Sequence, residues 1–121
     1  MAMAAKLNKR KYKTYVLIGD SEVSEGNVWE AFQLASYYKL NNLCAIIDAN
    51  RLGQRGETML GHDVKTYKKR ISSFGWNTII IDGHNINQIQ KALAKIKKTN
   101  KPLAIIAKTF KGKGVSFLEN K

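Results

Sequence analysis

The chain carries one cysteine, one proline, two histidines and nine acidic residues against 21 lysines and arginines. A lone Cys44 permits no internal disulfide, so a disulfide-stapled architecture is out and a reducing, cytoplasmic setting is expected. The thiol lies in the apolar run Leu43 to Ile47, where a buried structural role is expected and no base stands beside it. No apolar run approaches the roughly 20 residues needed to cross a bilayer, so no membrane partner is expected. The opening Met1-Ala2-Met3-Ala4-Ala5-Lys6-Leu7 has too short an apolar region for a secretory leader. His62 and His84 read first as surface or capping residues, with ligand contact as the alternative.

The excess of base over acid gives a formal net charge of +12. Five of the positive charges lie between Lys6 and Lys13, and five between Lys91 and Lys101. Basic clusters can bind phosphate backbones. Here only Tyr12 and Tyr15 accompany the first cluster, and no helix-turn-helix, zinc-knuckle or RNP-like string accompanies either. Solvated lysine-rich faces are the expected reading, and a nucleic-acid partner is not expected.

At 121 residues the chain is one domain, 1–121. The residues Met1 to Leu7 suit a short helical piece. Tyr15 to Ile18, Leu43 to Ile47 and Leu103 to Ala107 are continuous apolar runs, Asn77 to Ile81 is a β-branched run, and all four read as strands of a sheet covered on both faces. Val28, Ala31, Phe32, Ala35 and Tyr38 mark one helical face, with Ser21 or Ser24 as cap and Glu22 and Glu25 in the first turn. Val64, Tyr67, Ile71 and Phe74 mark a second helix, stopped by Gly75, and Ile86, Ile89, Leu93 and Ile96 a third. The region Asp48 to Gly61 has no helical period and reads as a long loop. Strand and helix thus alternate. The fold expected is α/β, a three-layer sandwich whose mostly parallel sheet is covered on both faces.

Ligands of such sheets gather outside the carboxyl ends of the strands. Four polar clusters fall there: Gly19 to Glu25, Asp48 to Gln54, Asp82 to Asn85 and Lys108 to Gly114. Asp20 offers a carboxylate, Asn50 an amide oxygen, and the Leu52 region a carbonyl. Those oxygens, with two from a diphosphate and a water, would complete the octahedron that Mg²⁺ requires. The plainer alternative is a capping Asp20 and a turn-forming Asn50. Gly112-Lys113-Gly114 lacks the spacing of a phosphate loop.

Beyond these local signals, longer strings match along nearly the whole chain. They include Gly19-Asp20-Ser21-Glu22-Val23-Ser24-Glu25-Gly26, Asp48-Ala49-Asn50-Arg51-Leu52-Gly53-Gln54, Asp82-Gly83-His84, and Lys108-Thr109-Phe110-Lys111-Gly112-Lys113-Gly114. In them the chain closely resembles the amino-terminal, diphosphate-binding domain of transketolase. The resemblance implies a partial thiamine-diphosphate-binding fold. It implies Asp20, Asn50 and the Leu52 carbonyl as ligands of Mg²⁺ or Ca²⁺, and Gly19, Asp20, Ser21, Asn50, Leu52, Gln54 and Lys108 around thiamine diphosphate. Glu25 matches an acid at a dimer interface, linked to the cofactor-activating glutamate of a partner domain. The implied reaction moves a two-carbon ketol unit from a ketose phosphate to an aldose phosphate, as in the pentose phosphate pathway.

Two departures accompany the resemblance. Ser21 stands where the family has glycine, which matters if that position needs a positive φ. The family's substrate-binding histidines fall outside the span Met1 to Lys121, as does its pyrimidine-binding domain. The expectation is therefore a partial domain that binds metal and part of a diphosphate. Turnover would need a pyrimidine-binding partner domain or chain, in a homo- or hetero-oligomer acting on sugar phosphates. The alternatives are a non-catalytic interaction domain and a non-specific phosphate-backbone binder using Lys6 to Lys13.

Overall fold

A computed structural model describes residues 1–121. Four parallel strands form the sheet: β1 (Thr14–Gly19), β2 (Leu43–Ala49), β5 (Asn77–Asp82) and β6 (Leu103–Lys108), in the spatial order β1-β2-β6-β5. A short α1 (Ala2–Leu7) precedes them, and between them run α2 (Gly26–Tyr37), α3 (Val64–Ser73) and α4 (Ile86–Ala94). A two-stranded antiparallel ribbon, β3 (Leu52–Gly53) with β4 (Gly56–Glu57), interrupts the segment read as a structureless loop.

The central strand β6 shows why the sheet holds. All of Leu103 to Ala107 is buried, and alternation sends Ala104 and Ile106 to one face and Leu103, Ile105 and Ala107 to the other. The first face packs under α2 and α3 through Phe32, Ala35, Tyr67, Ile71 and Trp76. The second packs under α4 through Ala92 and Ile96, with Cys44 and Ile81. Cys44 is fully buried, and that burial pushes its thiol up to about 11, the inert structural thiol expected. The three-layer α/β arrangement is as expected.

Several local expectations need correction. β1 is an edge strand: Tyr15 and Leu17 are 51% and 71% exposed, because α4 covers only the β5–β6 half of the second face. Ala31 in α2 and Tyr38 just after it are exposed, and the buried stripe is Phe32 and Ala35 flanked by Val28 and Trp29. Neither serine caps α2. Glu25 holds the cap position in extended conformation and makes no side-chain capping bond. Ser21 instead precedes a single 3₁₀ turn, Glu22–Ser24. Ile86 opens α4 but is 65% exposed. α3 does have an acidic cap. Asp63 accepts from the Thr66 amide at 3.1 Å and from its hydroxyl, and these bonds hold its carboxyl below the usual range.

The first helix is too short to persist alone, and three contacts anchor it. Ala2 and Ala5 are buried, the buried Asn42 amide donates to the Ala2 carbonyl at 2.9 Å, and Lys6 Nζ donates to the Lys39 carbonyl at 2.6 Å. At least one charge of the amino-terminal basic cluster is therefore spent on packing. Asn42→Ala is expected to cost about 1 kcal/mol and to speed amide exchange in Ala5 to Asn8 while leaving β6 amides unchanged.

Candidate functional site

Strand register delivers the polar residues to one line. Gly19 aligns with Asp48, Asp48 with Ala107, Ala49 with Lys108, and Lys108 with Asp82. The next residue of each strand therefore emerges at the same carboxyl edge: Asp20, Asn50, Thr109 and Gly83.

Asp20 is 2% exposed. Its Oδ2 accepts the Arg51 amide at 2.6 Å and the Thr58 hydroxyl at 3.2 Å, so its carboxylate touches the peptide unit that follows Asn50. Asn50 donates its amide nitrogen to Asp48 Oδ2 at 2.9 Å, and its Oδ1 accepts the Leu52 amide at 2.9 Å. The latter is an Asx-type turn, with Arg51 held at φ 68. The turn role weighed for Asn50 is thus present, whereas Asp20 caps no helix: its Oδ2 is bonded across the sheet edge by Arg51 and Thr58. The Thr109 hydroxyl donates to the other oxygen of Asp48.

Leu52 is set by the ribbon. Thr58 N–H bonds the Arg51 carbonyl at 2.8 Å, so Arg51 and Thr58 form a bonded pair and Leu52 opposite Glu57 does not. The Leu52 amide and carbonyl therefore point away from β4. The amide donates to Asn50 Oδ1.

The electrostatics are unusual for so basic a chain. The ion pairs present are Arg51–Glu57 at 3.6 Å and Lys113–Glu119 at 3.9 Å, and neither Asp20 nor Asp48 belongs to one. Burial raises the Asp20 carboxyl above its ordinary value. Bonds from Arg51, Thr58 and Ser21 oppose that rise, and the Asp48 charge adds to it. Tyr67, on the other wall of a small cavity of about 60 Å³ shared with Asp20, Trp29 and Leu60, is raised by burial and then by the Asp20 charge. The two neighbouring acids Asp20 and Asp48 make no ion pair, and the nearest basic side chain at the small cavity is Arg70, which lines it together with Asp20 and Tyr67. No cluster of three His, Cys, Asp or Glu side chains is present; the donors gathered here are carboxylate and amide oxygens, the kind that hard cations take.

Ser21 has φ −67 and ψ −38, an ordinary right-handed conformation that does not demand glycine. Its Cβ lies against Gly53, where a side chain on that glycine would be 3.6 Å away. The Gly19 amide is bonded by Glu22 Oε2 at 2.6 Å. The remaining expected residues are not drawn into the Asp20–Asn50 network. Gln54 is exposed at the ribbon tip. Glu25 is exposed and lines a 380 Å³ groove with Val16, Val28 and Phe32. Lys108 is exposed beside Asp82 and Gln88, with Nζ 5.9 Å from the Phe110 ring.

Thr58, Tyr67 and Thr109 belong to the network without having been assigned a role from sequence. Threonines leave no pattern signal, and Tyr67 sits on the core period of α3. The histidines have structural partners. His62 Nε2 lies 2.8 Å from the Thr109 carbonyl, and His84 Nε2 accepts the Phe110 amide at 2.9 Å, fixing the exit from β6.

Comparison with known proteins gives one consistent result. A family model described as the thiamine diphosphate binding domain of transketolase matches residues 3–121. The chain is 52% identical over 114 residues to the transketolase of Mus musculus and 51% to that of Homo sapiens, covering 94% of this chain and 18% of each relative. Among solved structures, a transketolase from Campylobacter jejuni superposes with a TM-score of 0.91 at 37% identity, over 99% of this chain and 20% of that one. A Pichia stipitis transketolase solved with xylulose 5-phosphate gives 0.76 at 34% identity, over 87% and 16%. The chain thus spans about a fifth of the length of these relatives.

Proposed function

The chain belongs to the transketolase family, and from that premise we propose that it supplies the cation- and diphosphate-holding part of a thiamine-diphosphate site. The assembly it serves transfers a two-carbon ketol unit between ketose and aldose phosphates. One observation supports this reading above the rest: Asp20 and Asp48 meet the Asn50 turn at the sheet's carboxyl edge, and neither is held in an ion pair.

In this reading Asp20, the Asn50 side-chain oxygen and the Leu52 carbonyl hold Mg²⁺ or Ca²⁺. Asn50 Oδ1 has two lone pairs, so it can coordinate while keeping the Leu52 amide. Asp48 and Thr109 orient Asn50 from behind, as partners of metal ligands generally do. Gly19 and Ser21 bring backbone close to the diphosphate, and Gln54 and Lys108 contribute at its margin. The cofactor, once bound, provides the carbon nucleophile of the reaction. Glu25 carries the link to the activating glutamate of a pyrimidine-binding partner domain or chain, and turnover depends on that partner.

Isothermal titration of thiamine diphosphate with and without Mg²⁺ tests the reading. Heat that requires Mg²⁺ is expected. Silence at millimolar cofactor with Mg²⁺ present contradicts the proposal. Binding that ignores Mg²⁺ and fades with added salt would reflect net charge alone.

Two substitutions separate the roles. Ser21→Gly is expected to change cofactor affinity by less than about threefold and to cost at most about 1 kcal/mol, since only backbone freedom is added. Glu25→Gln is expected to leave cofactor affinity within about twofold. It should slow ketol transfer in the partner-complemented assembly on the order of 100-fold, the scale of one acid–base contact.

A further inference from the structure

The ribbon that follows Asn50 brings two donors to a single carboxylate oxygen. Arg51 leads into β3 and Thr58 follows β4, and the Thr58 amide bonds the Arg51 carbonyl at 2.8 Å, so the two residues stand side by side at the ribbon's base. From there the Arg51 amide donates to Asp20 Oδ2 at 2.6 Å, and the Thr58 hydroxyl donates to the same atom at 3.2 Å. An ionised carboxylate has about four lone-pair sites, shared between its two oxygens. Those of Oδ2 are therefore taken, and neither donor bonds Oδ1.

The threonine side chain is held in this orientation. Its methyl is turned to Gly53, 3.6 Å from where a Cβ on that glycine would stand. A β-branched side chain is stiff about χ1, so a seated methyl also fixes the hydroxyl. Asp20 is 2% exposed, which leaves its carboxyl little room to turn.

The number of free oxygens matters to a cation. Mg²⁺ demands near-octahedral geometry with bonds of about 2.0–2.1 Å, whereas the larger Ca²⁺ has a flexible shell and accepts both oxygens of one carboxylate. Resting on the cation reading above, we propose that Thr58 is a positioning residue: it confines Asp20 to coordination through Oδ1 alone and so favours Mg²⁺ over Ca²⁺. Without its hydroxyl, Oδ2 regains a lone pair and can join Oδ1 on the larger ion.

The test is isothermal titration of Mg²⁺, and separately of Ca²⁺, into the full chain with thiamine diphosphate at a fixed concentration. Thr58→Val keeps the methyl and deletes the donor. It should weaken Mg²⁺ binding about tenfold, the lower end for residues that support a metal ligand, and Ca²⁺ binding by no more than about threefold. Thr58→Ala, which adds no bulk beside the carboxylate, should repeat that pattern. Thr58→Ser keeps the donor and should hold both dissociation constants within about threefold of wild type. A Mg²⁺-to-Ca²⁺ ratio that Thr58→Val and Thr58→Ala leave unchanged, whether both ions bind as before or both weaken alike, overturns the proposal while the wild type's own metal dependence stands. A wild type that gives no metal-dependent heat defeats the cation reading, and this inference falls with it.

Discussion

Asp20→Asn is expected to make the free protein more stable at pH 7 while removing its cation-dependent hold on thiamine diphosphate. The two effects have one cause. Burial raises the Asp20 carboxyl above its unfolded value, so the native state holds that proton more tightly than the unfolded chain does. Stability contributed by the protonated form is complete below the unfolded value and is lost as pH rises through the raised folded one. At pH 7 the charge is present and unfavourable. Asparagine keeps an oxygen for the Arg51 amide and the Thr58 hydroxyl and deletes that charge. The gain should be visible in urea unfolding at pH 7 and should vanish toward pH 3. With Mg²⁺ and cofactor the order should reverse. Ligand at 100 times its dissociation constant stabilises the wild type by about 2.7 kcal/mol. Losing a direct cation ligand should weaken binding about 100-fold or more, since even supporting residues cost 10- to 100-fold. A variant that binds as tightly as wild type, or is less stable without ligand, would show that Asp20 is simply a structural acceptor.

Trp76→Ala is expected to cost about 3–5 kcal/mol, well above the loss expected for Asn42→Ala or Ser21→Gly. Trp76 is 5% exposed, meets Phe32 edge-on with ring centroids 4.8 Å apart, and donates its indole N–H to the Phe32 carbonyl at 2.8 Å. Phe32 in turn packs against Trp29, and Trp29 stacks on Phe74. These rings fasten α2 and the end of α3 to the sheet, and α2 begins at the Glu25 cap. Domains have only about 5–15 kcal/mol in total, and this sheet is bare over one corner, so the variant should be largely unfolded near 37 °C. Trp76→Phe keeps most of the buried area but loses the hydrogen bond, and about 1–2 kcal/mol is expected. Equal losses for the two substitutions would contradict the packing account.

What was legible in the sequence follows from which physical rules act locally. Four apolar runs and two clear helical periods located the sheet, α3 and α4, because burial on both faces imposes continuous hydrophobicity. The same rule misread the two edge strands, β1 and β5, the latter burying only Ile81. An apolar run states that a strand avoids water but not whether anything covers it, and Tyr15 and Leu17 are left exposed. The Leu52–Glu57 ribbon was invisible because strands of two residues are too short to show alternation. Asp20 and Asn50 were visible because they follow strands directly. The threonines of the network were not, since Thr58 bonds Asp20 and Thr109 bonds Asp48 across 38 and 61 residues of chain. The contributions of Gln54, Lys108 and Glu25 came from family resemblance; no pattern of charge or spacing marks them out, and all three are exposed.

A crystal structure of the chain grown with thiamine diphosphate and Ca²⁺ bears most directly on whether one carboxylate and one amide share a metal at this sheet edge. The ion should appear about 2.3–2.6 Å from oxygens of Asp20, Asn50 and the Leu52 backbone, with phosphate oxygens completing its shell. Calcium bound elsewhere, with diphosphate lying only on surface lysines, would contradict the assignment and leave this fold without its proposed task.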